Sequence, residues 1–244
     1  LCMIRKTGEF GILKGRAFPI YSTLPCAGLG PASYARVVPN AKILYKGLTD
    51  FANSAFEDFR QLDAEIKAYI ISTSYQLFYV LDGAYRAVHY FPHDNTLFLS
   101  YTCYINREAL ATFLDDCPHE LNRKDAIGEI EKNINGSERP TKKLFKKVKP
   151  LDKEFLGLLG LAIWNNELLT MNGKLENLAL INREAILKEL QTMYKHEGKM
   201  DYATRLGELL CLLVNIEVRL PEKNGVPAKE DLEVYRLMNL FNEA

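Results

Sequence analysis

The chain has 244 residues, of which 48% are hydrophobic and 25% charged, so it can form one large domain or two small ones. Lys plus Arg and Asp plus Glu both number 31, and no net field would draw the chain to nucleic acid or to a membrane. Five cysteines without a C-x-x-C pair argue against a disulfide framework and a zinc finger. No run approaches the roughly 18 apolar residues of a membrane span.

Residues 1–38 are expected to form a poorly defined N-terminal segment, because glycines and prolines interrupt every candidate helix there. The chain begins with Leu1 rather than Met, which suggests a fragment or a processed product. The first predicted helix starts near Pro39, a residue type favoured in the first turn, and ends near Asn53. The main domain is therefore expected over residues 39–244.

A long helix is predicted over about residues 62–90. Its first part keeps apolar residues on one helical face, whereas residues 77–81 are apolar on every face. A helix that is apolar all round cannot lie on a surface. We expect it to pass through the middle of the domain.

Beyond this helix, residues 96–105 are β-branched and aromatic enough for a short hairpin. A short helix is predicted at 107–116. Polar residues, glycines and prolines then predict helix fragments and a long loop over 117–149.

The C-terminal part is again helical. Asp152 is expected to cap a helix at 152–165 that is apolar on all sides. An amphipathic helix follows around 186–194, and then a leucine-rich helix at 204–218. A final amphipathic helix is predicted at 231–241.

One stretch carries a series of motifs in fixed order: Phe51-Ala52-Asn53, Phe59-x-x-Leu62, Ile66-Lys67, Ile70-Ile71, Tyr75 and Ala84-Tyr85-Arg86. This series resembles the signature of the nuclear receptor ligand-binding domain, in which family helices 3, 4 and 5 follow one another. Downstream, the segments LDKEFLGLLGLAIWN and TRLGELLCLL resemble family helices 8 and 10. The resemblance covers about 39–241 and suits the divergent nematode branch of these receptors.

The resemblance implies an all-α fold, a three-layer antiparallel helical sandwich with a small β-turn. Two residues depart from the signature: Asn53 replaces a lysine that holds one end of a coactivator helix, and Ile66 replaces a buried aspartate. The closing activation helix is expected to be missing. The eight-cysteine zinc module through which these receptors bind DNA is not found. We therefore expect impaired coactivator recruitment and no direct DNA binding by this chain.

The resemblance also implies a ligand cavity along the long helix, in which the arginine at the position of Arg86 binds the polar end of a lipophilic ligand. A guanidinium in an apolar interior must find an anion or several acceptors. The alternative is that Arg86 pairs with a structural carboxylate or with carbonyls, while aromatic side chains fill the cavity. Gly83 is expected to leave room for the cavity. The predicted ligand-binding residues are Tyr75, Gln76, Tyr79, Gly83, Arg86, Phe98 and Leu99.

Two protein-binding surfaces are implied in the same way. Asn53 and Lys67 would belong to the coactivator groove, which coregulator proteins occupy. The leucine-rich helix would form a homodimer, or a heterodimer with another nuclear receptor, and its alternative is plain core packing. The expected location is the nucleus, with the cytoplasm as a second location. The expected dimer residues are Arg205, Leu206, Leu209, Leu210 and Leu213.

Other candidate sites have weaker support. The basic cluster within 139–149 could bind phosphate or direct nuclear import, and its alternative is a solvated loop. His89 and His93 have the spacing of metal ligands on a helix, but a proline between them should break that helix. Cys117 and His119 could serve a helical hydrolase, but near neighbours along a chain seldom face each other. We expect no metal, no cofactor and no enzymatic activity.

The sequence therefore predicts the ligand-binding domain of a nuclear hormone receptor-like transcription regulator that senses a small lipophilic molecule. The competing hypothesis is a ligand-free helical module for protein interaction or dimerisation. A cavity of several hundred Å³ beside Arg86 would favour sensing, and a filled interior would favour the module.

Overall fold

The computed structural model describes residues 28–100, 102–118, 122–170, 173–199 and 201–220. Most of the predicted N-terminal segment and the final predicted helix at 231–241 lie outside the described residues. Helices dominate the described part, and the predicted all-α class with a small β element is confirmed. In chain order the elements are β1 (Gly30–Pro31), α1 (Tyr34–Ala55), α2 (Glu57–Arg60), α3 (Ala64–Tyr90), β2 (Leu97–Ser100), β3 (Cys103–Ile105), α4 (Arg107–Ala111), α5 (Arg123–Asn133), a π-helix (Ile134–Glu138), α6 (Arg139–Val148), α7 (Asp152–Ile163), α8 (Asn166–Leu169), α9 (Lys174–His196) and α10 (Tyr202–Glu217).

The chain divides into two compact units. Among the described residues, the first unit consists of Gly47–Phe78 and Val148–Glu217, and the second consists of 28–46, Tyr79–Lys147 and 218–220. Helices α1 and α3 therefore contribute residues to each unit. No helix within the described ranges has the length and apolarity that crossing a bilayer requires.

Helix α1 begins earlier than predicted, at Tyr34, so Pro39 lies inside the helix rather than in its first turn. The backbone N–H of Tyr34 donates to the carbonyl of Phe113 at 2.9 Å. The next N–H, of Ala35, donates to Oδ1 of Asp116 at 3.3 Å. These bonds satisfy donors that the first turn of a helix leaves open. Tertiary contacts thus set a helix start that local sequence does not show.

The long predicted helix is confirmed as α3. Its apolar stretch is inside the molecule, as expected, because Leu77, Phe78, Val80 and Leu81 are all buried. Tyr79, in the middle of that stretch, is only partly buried. The helix ends where predicted, directly before Phe91.

The predicted hairpin is confirmed as the antiparallel pair β2 and β3. Leu97 lies opposite Ile105 and Phe98 opposite Tyr104, with a shift of register between Phe98 and Ser100. Strand β1 adds in parallel to β3, which gives the order β1–β3–β2. The sheet joins residues of α4 and α5 in the apolar core of the second unit.

The segment predicted as helix fragments and a long loop is largely helical, and the loop prediction is wrong for residues 123–148. Helix α5, the π-helix and α6 follow one another without a break. The side chains of Ile134 and Phe145 are buried, so this helical segment packs against the interior. Pro140 is the second residue of α6 and comes directly after the π-helix, where the α-helical hydrogen-bond ladder is already interrupted. Its missing N–H therefore does not end the helix.

Helix α7 supplies the core of the first unit. It is buried on all sides, and at its end the ring of Trp164 packs edge-on against Phe56, with 5.5 Å between centroids. Helix α9 packs against α7, α8 and α10. Asp152 is not the N-cap that the sequence predicts: Leu151 occupies that position, and its N–H donates to Oε2 of Glu154 at 2.8 Å.

Candidate functional site

The predicted ligand-binding residues of the long helix lie along α3, and they fall in both units. Tyr75 and Gln76 belong to the first unit, whereas Tyr79, Gly83 and Arg86 belong to the second. The first four are partly buried, and Arg86 is buried. Phe98 and Leu99 lie on β2, which belongs to the second unit together with Gly83.

Arg86 is buried against a carboxylate one turn earlier on the same helix. Its Nε donates to Oδ1 and Oδ2 of Asp82 at 3.0 and 2.9 Å, and the two side chains are 7% and 8% exposed. This is the structural carboxylate that the alternative interpretation of Arg86 requires. The sequence analysis did not single out Asp82, although its i,i+4 spacing to Arg86 was a usable signal.

Gly83 borders the backbone of the hairpin. A Cβ atom at this position would lie 3.0 Å from the carbonyl oxygen of Phe98. Phe98 itself is buried, and its ring centroid lies 5.4 Å from those of Tyr90 and Phe91. Leu99 is partly buried. The structure thus brings Gly83 and Phe98 together, but the backbone of β2 occupies the space left by the missing side chain.

The two predicted groove residues, Asn53 and Lys67, lie near each other in the first unit and are linked through Arg60. Nε of Arg60 donates to the carbonyl of Asn53 at 3.1 Å, and Nζ of Lys67 donates to the carbonyl of Arg60 at 2.7 Å. Lys67 also lies over the ring of Phe59, with Nζ 5.8 Å from its centroid. The side-chain amide of Asn53 donates to the carbonyl of Thr49 at 2.9 Å. The polar groups of Asn53 and Lys67 thus already have hydrogen-bond partners within the first unit.

Most leucines predicted to form the dimer surface point into the first unit. Leu206, Leu209 and Leu213 are buried, and Leu210 is partly exposed. Core packing, the alternative interpretation, accounts for these three. Val214 is 50% exposed on the same helix and was not singled out from the sequence.

Arg205 takes part in a buried network that the sequence analysis did not find. Its Nε and Nη2 donate to Oε1 and Oε2 of Glu154 at 2.9 and 2.6 Å, and the Tyr194 hydroxyl donates to Oε1 at 2.6 Å. Nη1 and Nη2 also donate to the carbonyls of Val148 and Lys149 at 2.8 and 3.1 Å. The network ties α10 to α7 and α9.

The ionisation of this network follows from its geometry. Burial by itself raises the pKa of Glu154, but hydrogen bonds from Arg205, Tyr194 and the Leu151 N–H hold that pKa below its ordinary value. Burial and the bond to Glu154 raise the pKa of Tyr194. The bond to Glu154 also raises the pKa of Arg205. Glu154 and Arg205 are therefore an ion pair at neutral pH. The sequence signal was an acid in the first turn of an otherwise apolar helix.

The remaining candidates do not form a site within the described residues. Nδ1 of His89 lies 2.9 Å from the carbonyl oxygen of Tyr85, one turn earlier. His119 lies outside the described residues, so the arrangement of Cys117 and His119 is not described. Where the structure describes the chain, no three His, Cys, Asp or Glu side chains are grouped so as to hold a metal ion.

Comparison with known proteins gives the family. Residues 41–223 match the model of the ligand-binding domain of nuclear hormone receptor. The chain is 24% identical over 172 residues to the "High zinc activated nuclear receptor protein" of Caenorhabditis elegans, which covers 68% of this chain and 42% of that protein. It is also 24% identical over 200 residues to the "Nuclear hormone receptor family member nhr-28" of Caenorhabditis briggsae, covering 80% of this chain and 44% of that protein.

The matched parts thus span less than half the length of these relatives. The family match, by contrast, runs from within α1 to beyond the end of α10 and covers more than two thirds of the chain. The family resemblance, the nematode relatives and the all-α fold agree. The chain belongs to the nuclear hormone receptor ligand-binding domain family.

Proposed function

We propose that this domain senses a small lipophilic molecule, regulates transcription in the nucleus through partner proteins, and is not an enzyme. Family membership supports this function. The observation that carries it is the match of residues 41–223 to the ligand-binding domain of nuclear hormone receptor. Arg86 lies at the position at which the family resemblance implies recognition of the polar end of a ligand, and such a ligand would compete with Asp82 for its guanidinium.

The physical argument concerns what a buried ion pair contributes. Removing two charges from water costs free energy, and their mutual attraction roughly offsets that cost. Apolar residues of similar volume often stabilise a protein as much or more. The buried Asp82–Arg86 pair is therefore weak evidence for a purely stabilising role. A guanidinium has five N–H donors in a planar fork, which suits a ligand carboxylate, carbonyl or hydroxyl. Tyr79, Phe98 and Leu99 offer apolar surroundings for the rest of the ligand.

The test replaces both charges, because a single change would leave the other one buried and unpaired. We expect purified wild-type chain to carry a discrete extra mass in native mass spectrometry. Asp82→Leu with Arg86→Met should lose this mass and keep a cooperative thermal transition. Asp115→Leu with Arg123→Met is the control, because it removes an exposed ion pair of the same unit, and it should retain the mass. Retention in the buried double variant would refute the proposal.

We also propose that the domain binds coactivators weakly. Asn53 cannot act as a charged clamp, and its amide is already bound to the carbonyl of Thr49 in its own helix. The ammonium of Lys67 is likewise engaged by the carbonyl of Arg60 and the ring of Phe59. Both contacts compete with a coactivator helix for the same groups.

Restoring the lysine tests this second proposal. Asn53→Lys should bind an LxxLL peptide about tenfold more tightly than the wild type, since a charge-assisted hydrogen bond contributes about 1.5–3 kcal/mol. Asn53→Gln, which adds length without charge, should bind like the wild type. Fluorescence anisotropy with a labelled peptide measures all three. Equal, tight binding by all three proteins would show that the clamp charge is dispensable.

A ligand-free interaction module is the second candidate function. Exposed apolar side chains of the first unit favour it: Leu180 and Ile181 on α9 and Val214 on α10 are each about half exposed. Such residues mark protein contacts when they lie together on a surface. The partner would be a second copy of this chain, another nuclear receptor or a coregulator. A wild-type protein without extra mass in native mass spectrometry would favour this function.

A further inference from the structure

A cavity of about 340 Å³ opens in the second unit between α6 and the turn that follows α3. Asp94 and Asn95 line it from the turn, Asn135 from the π-helix, and Arg139, Lys143 and Lys146 from α6. None of the residues predicted to bind a lipophilic ligand lines this cavity. The cavity is therefore separate from the predicted ligand-binding residues.

The lining of the cavity is strongly cationic. Four positively charged residues line the cavity, and Asp94 supplies the single carboxylate. The four are Arg139, Lys142, Lys143 and Lys146. That carboxylate already accepts the N–H of Thr96 at 2.7 Å and lies 3.9 Å from Nζ of Lys142. Burial and the nearby Lys146 charge lower the pKa of Lys142 to about 8. The cavity therefore has a surplus of positive charge at neutral pH.

Lys142 shapes the cavity rather than contacting a ligand. It is 4% exposed, and Nζ donates to the carbonyls of Phe91, Asp94 and Thr96 at 2.7, 3.1 and 2.7 Å. These three bonds use all the donors of an ammonium group. They join α6 to the turn after α3, so the two walls of the cavity are held together. The solvated-loop interpretation of the basic cluster does not apply to Lys142.

The remaining cations form no ion pair among the described residues, although the charge of Arg139 acts on Glu138 and that of Lys146 acts on Asp94. Nε of Arg139 is buried and has no hydrogen-bond partner among the described residues, whereas Nη1 donates to the side-chain oxygen of Asn135. An unsatisfied buried donor is unfavourable, and an anion in the cavity would satisfy it. Lys143 and Lys146 form no ion pair within the described part of the chain. The π-helix beside them is a feature that often marks functional sites.

We propose that this cavity binds a phosphate-bearing molecule through Arg139, Lys143 and Lys146. Its volume falls in the range of small-molecule sites, roughly 300–1,000 Å³. The guanidinium fork of an arginine matches phosphate oxygens, and lysines add point charges around them. The phosphate belongs either to a soluble compound or to a lipid headgroup. This site is additional to the sensing of a lipophilic molecule.

Isothermal titration of the full chain with pyrophosphate at low ionic strength provides the test. We expect one binding site per chain. Lys143→Gln with Lys146→Gln should weaken binding by about tenfold or more, because two charged hydrogen-bond donors are lost. Lys124→Gln with Lys147→Gln is the matched control: both residues are exposed, neither lines the cavity, and the loss of net charge is the same. The control should bind like the wild type.

Co-sedimentation with phosphatidylcholine vesicles, with and without phosphatidylinositol bisphosphate, distinguishes the two sources of phosphate. Pyrophosphate binding that depends on Lys143 and Lys146 supports a soluble compound. Vesicle binding with the same dependence, but without pyrophosphate binding, supports a lipid headgroup. The proposal is overturned if the wild type binds neither probe. It is also overturned if the Lys143/Lys146 variant binds normally, or if both double variants weaken equally.

Discussion

Arg86, Lys142 and Glu154 are charged residues of this domain that are removed almost completely from water. Each has a different kind of partner: a carboxylate for Arg86, three backbone carbonyls for Lys142, and a guanidinium with a phenol for Glu154. Burying a charge without such partners would cost several kcal/mol, on the order of the whole stability of a domain. Removing a partner should therefore be more harmful than removing any surface charge.

Glu154→Gln should lower the free energy of unfolding at pH 7 by about 3 kcal/mol, because Arg205 and Tyr194 lose the buried carboxylate charge to which they donate. The pH dependence should change too. The folded-state pKa of Glu154 lies below its ordinary value of 4.5, so its contribution is present above pH 4.5 and is lost as the pH falls further. Urea unfolding at pH 7 and pH 3 should show a smaller acid loss in the variant than in the wild type.

Glu184→Gln is the control for this prediction. Glu184 lies on the exposed face of α9 and forms a surface pair with Lys188 at 2.7 Å. Surface pairs of this kind contribute little, so stability should be unchanged by the substitution. If the two variants were equally stable, the buried network would have no special role.

The helices that the sequence predicts well are the strongly apolar ones. Helices α3, α7 and α10 begin and end within two residues of the predicted bounds. A long apolar run must be buried, so its own hydrophobic pattern is enough to predict the helix and its bounds. The hairpin was predicted for a similar reason, because β-branched and aromatic residues favour a pleated, half-buried surface.

The misplaced boundaries fall at prolines. Pro39 was expected in the first turn of a helix, and Pro140 belongs to a segment predicted as helix fragments and a long loop, yet both lie within helical segments. The start of α1 is set by a bond to the distant Phe113, and the continuation into α6 depends on a π-helix that single-sequence patterns do not encode. Long-range contacts therefore outweigh local propensity at these two positions.

The candidate site was predictable only in part. The resemblance assigned Asn53 and Lys67 to one groove and Gly83 and Phe98 to one pocket. The structure places the members of each pair near each other, and their binding of a coactivator or a ligand stays a prediction. The resemblance did not indicate Asp82, although that residue lies one turn before Arg86 on the same helix and the i,i+4 spacing was a usable signal. The basic cluster within 139–149 contains the cations of the cavity, but the cavity itself was not predicted, because the positions of side chains on α6 depend on where the preceding π-helix lies.

The contact between α3 and β2 gives a prediction about glycine. Gly83→Ala should destabilise the domain by about 1–3 kcal/mol, because the new methyl group would lie against the carbonyl oxygen of Phe98 at 3.0 Å. Gly207→Ala in α10 meets no atom within 4 Å and should stabilise by about 0.5–1 kcal/mol through helix propensity. Thermal unfolding of both variants measures the difference. A stabilising Gly83→Ala would contradict the close packing of β2.

Association of the whole molecule must use residues that remain exposed after folding. We expect Val214→Glu to convert a solution dimer to a monomer while leaving the melting temperature unchanged, because Val214 is 50% exposed. Leu209→Glu should instead unfold the domain, because that side chain is buried. Sedimentation analysis at micromolar concentration, combined with thermal unfolding, distinguishes the two effects.

Asn215→Glu is a suitable control for the dimer prediction, since Asn215 is also exposed on α10 and neighbours Val214. It should leave the association state unchanged. A wild-type chain that is monomeric at these concentrations would count against dimerisation altogether. The domain would then act through coregulators or through a different receptor.

The π-helix at Ile134–Glu138 sets the rotational phase of α6. A π-turn holds one residue more than an α-turn, and each residue of an α-helix advances the direction of its side chains by about 100°. If the same five residues formed a regular α-helix instead, the extra residue would not be absorbed, and α6 would be rotated by about 100° relative to α5. Lys142 would leave its three carbonyls and Phe145 would leave the core. The inward positions of both residues thus depend on the kind of helix formed by the short segment that precedes α6.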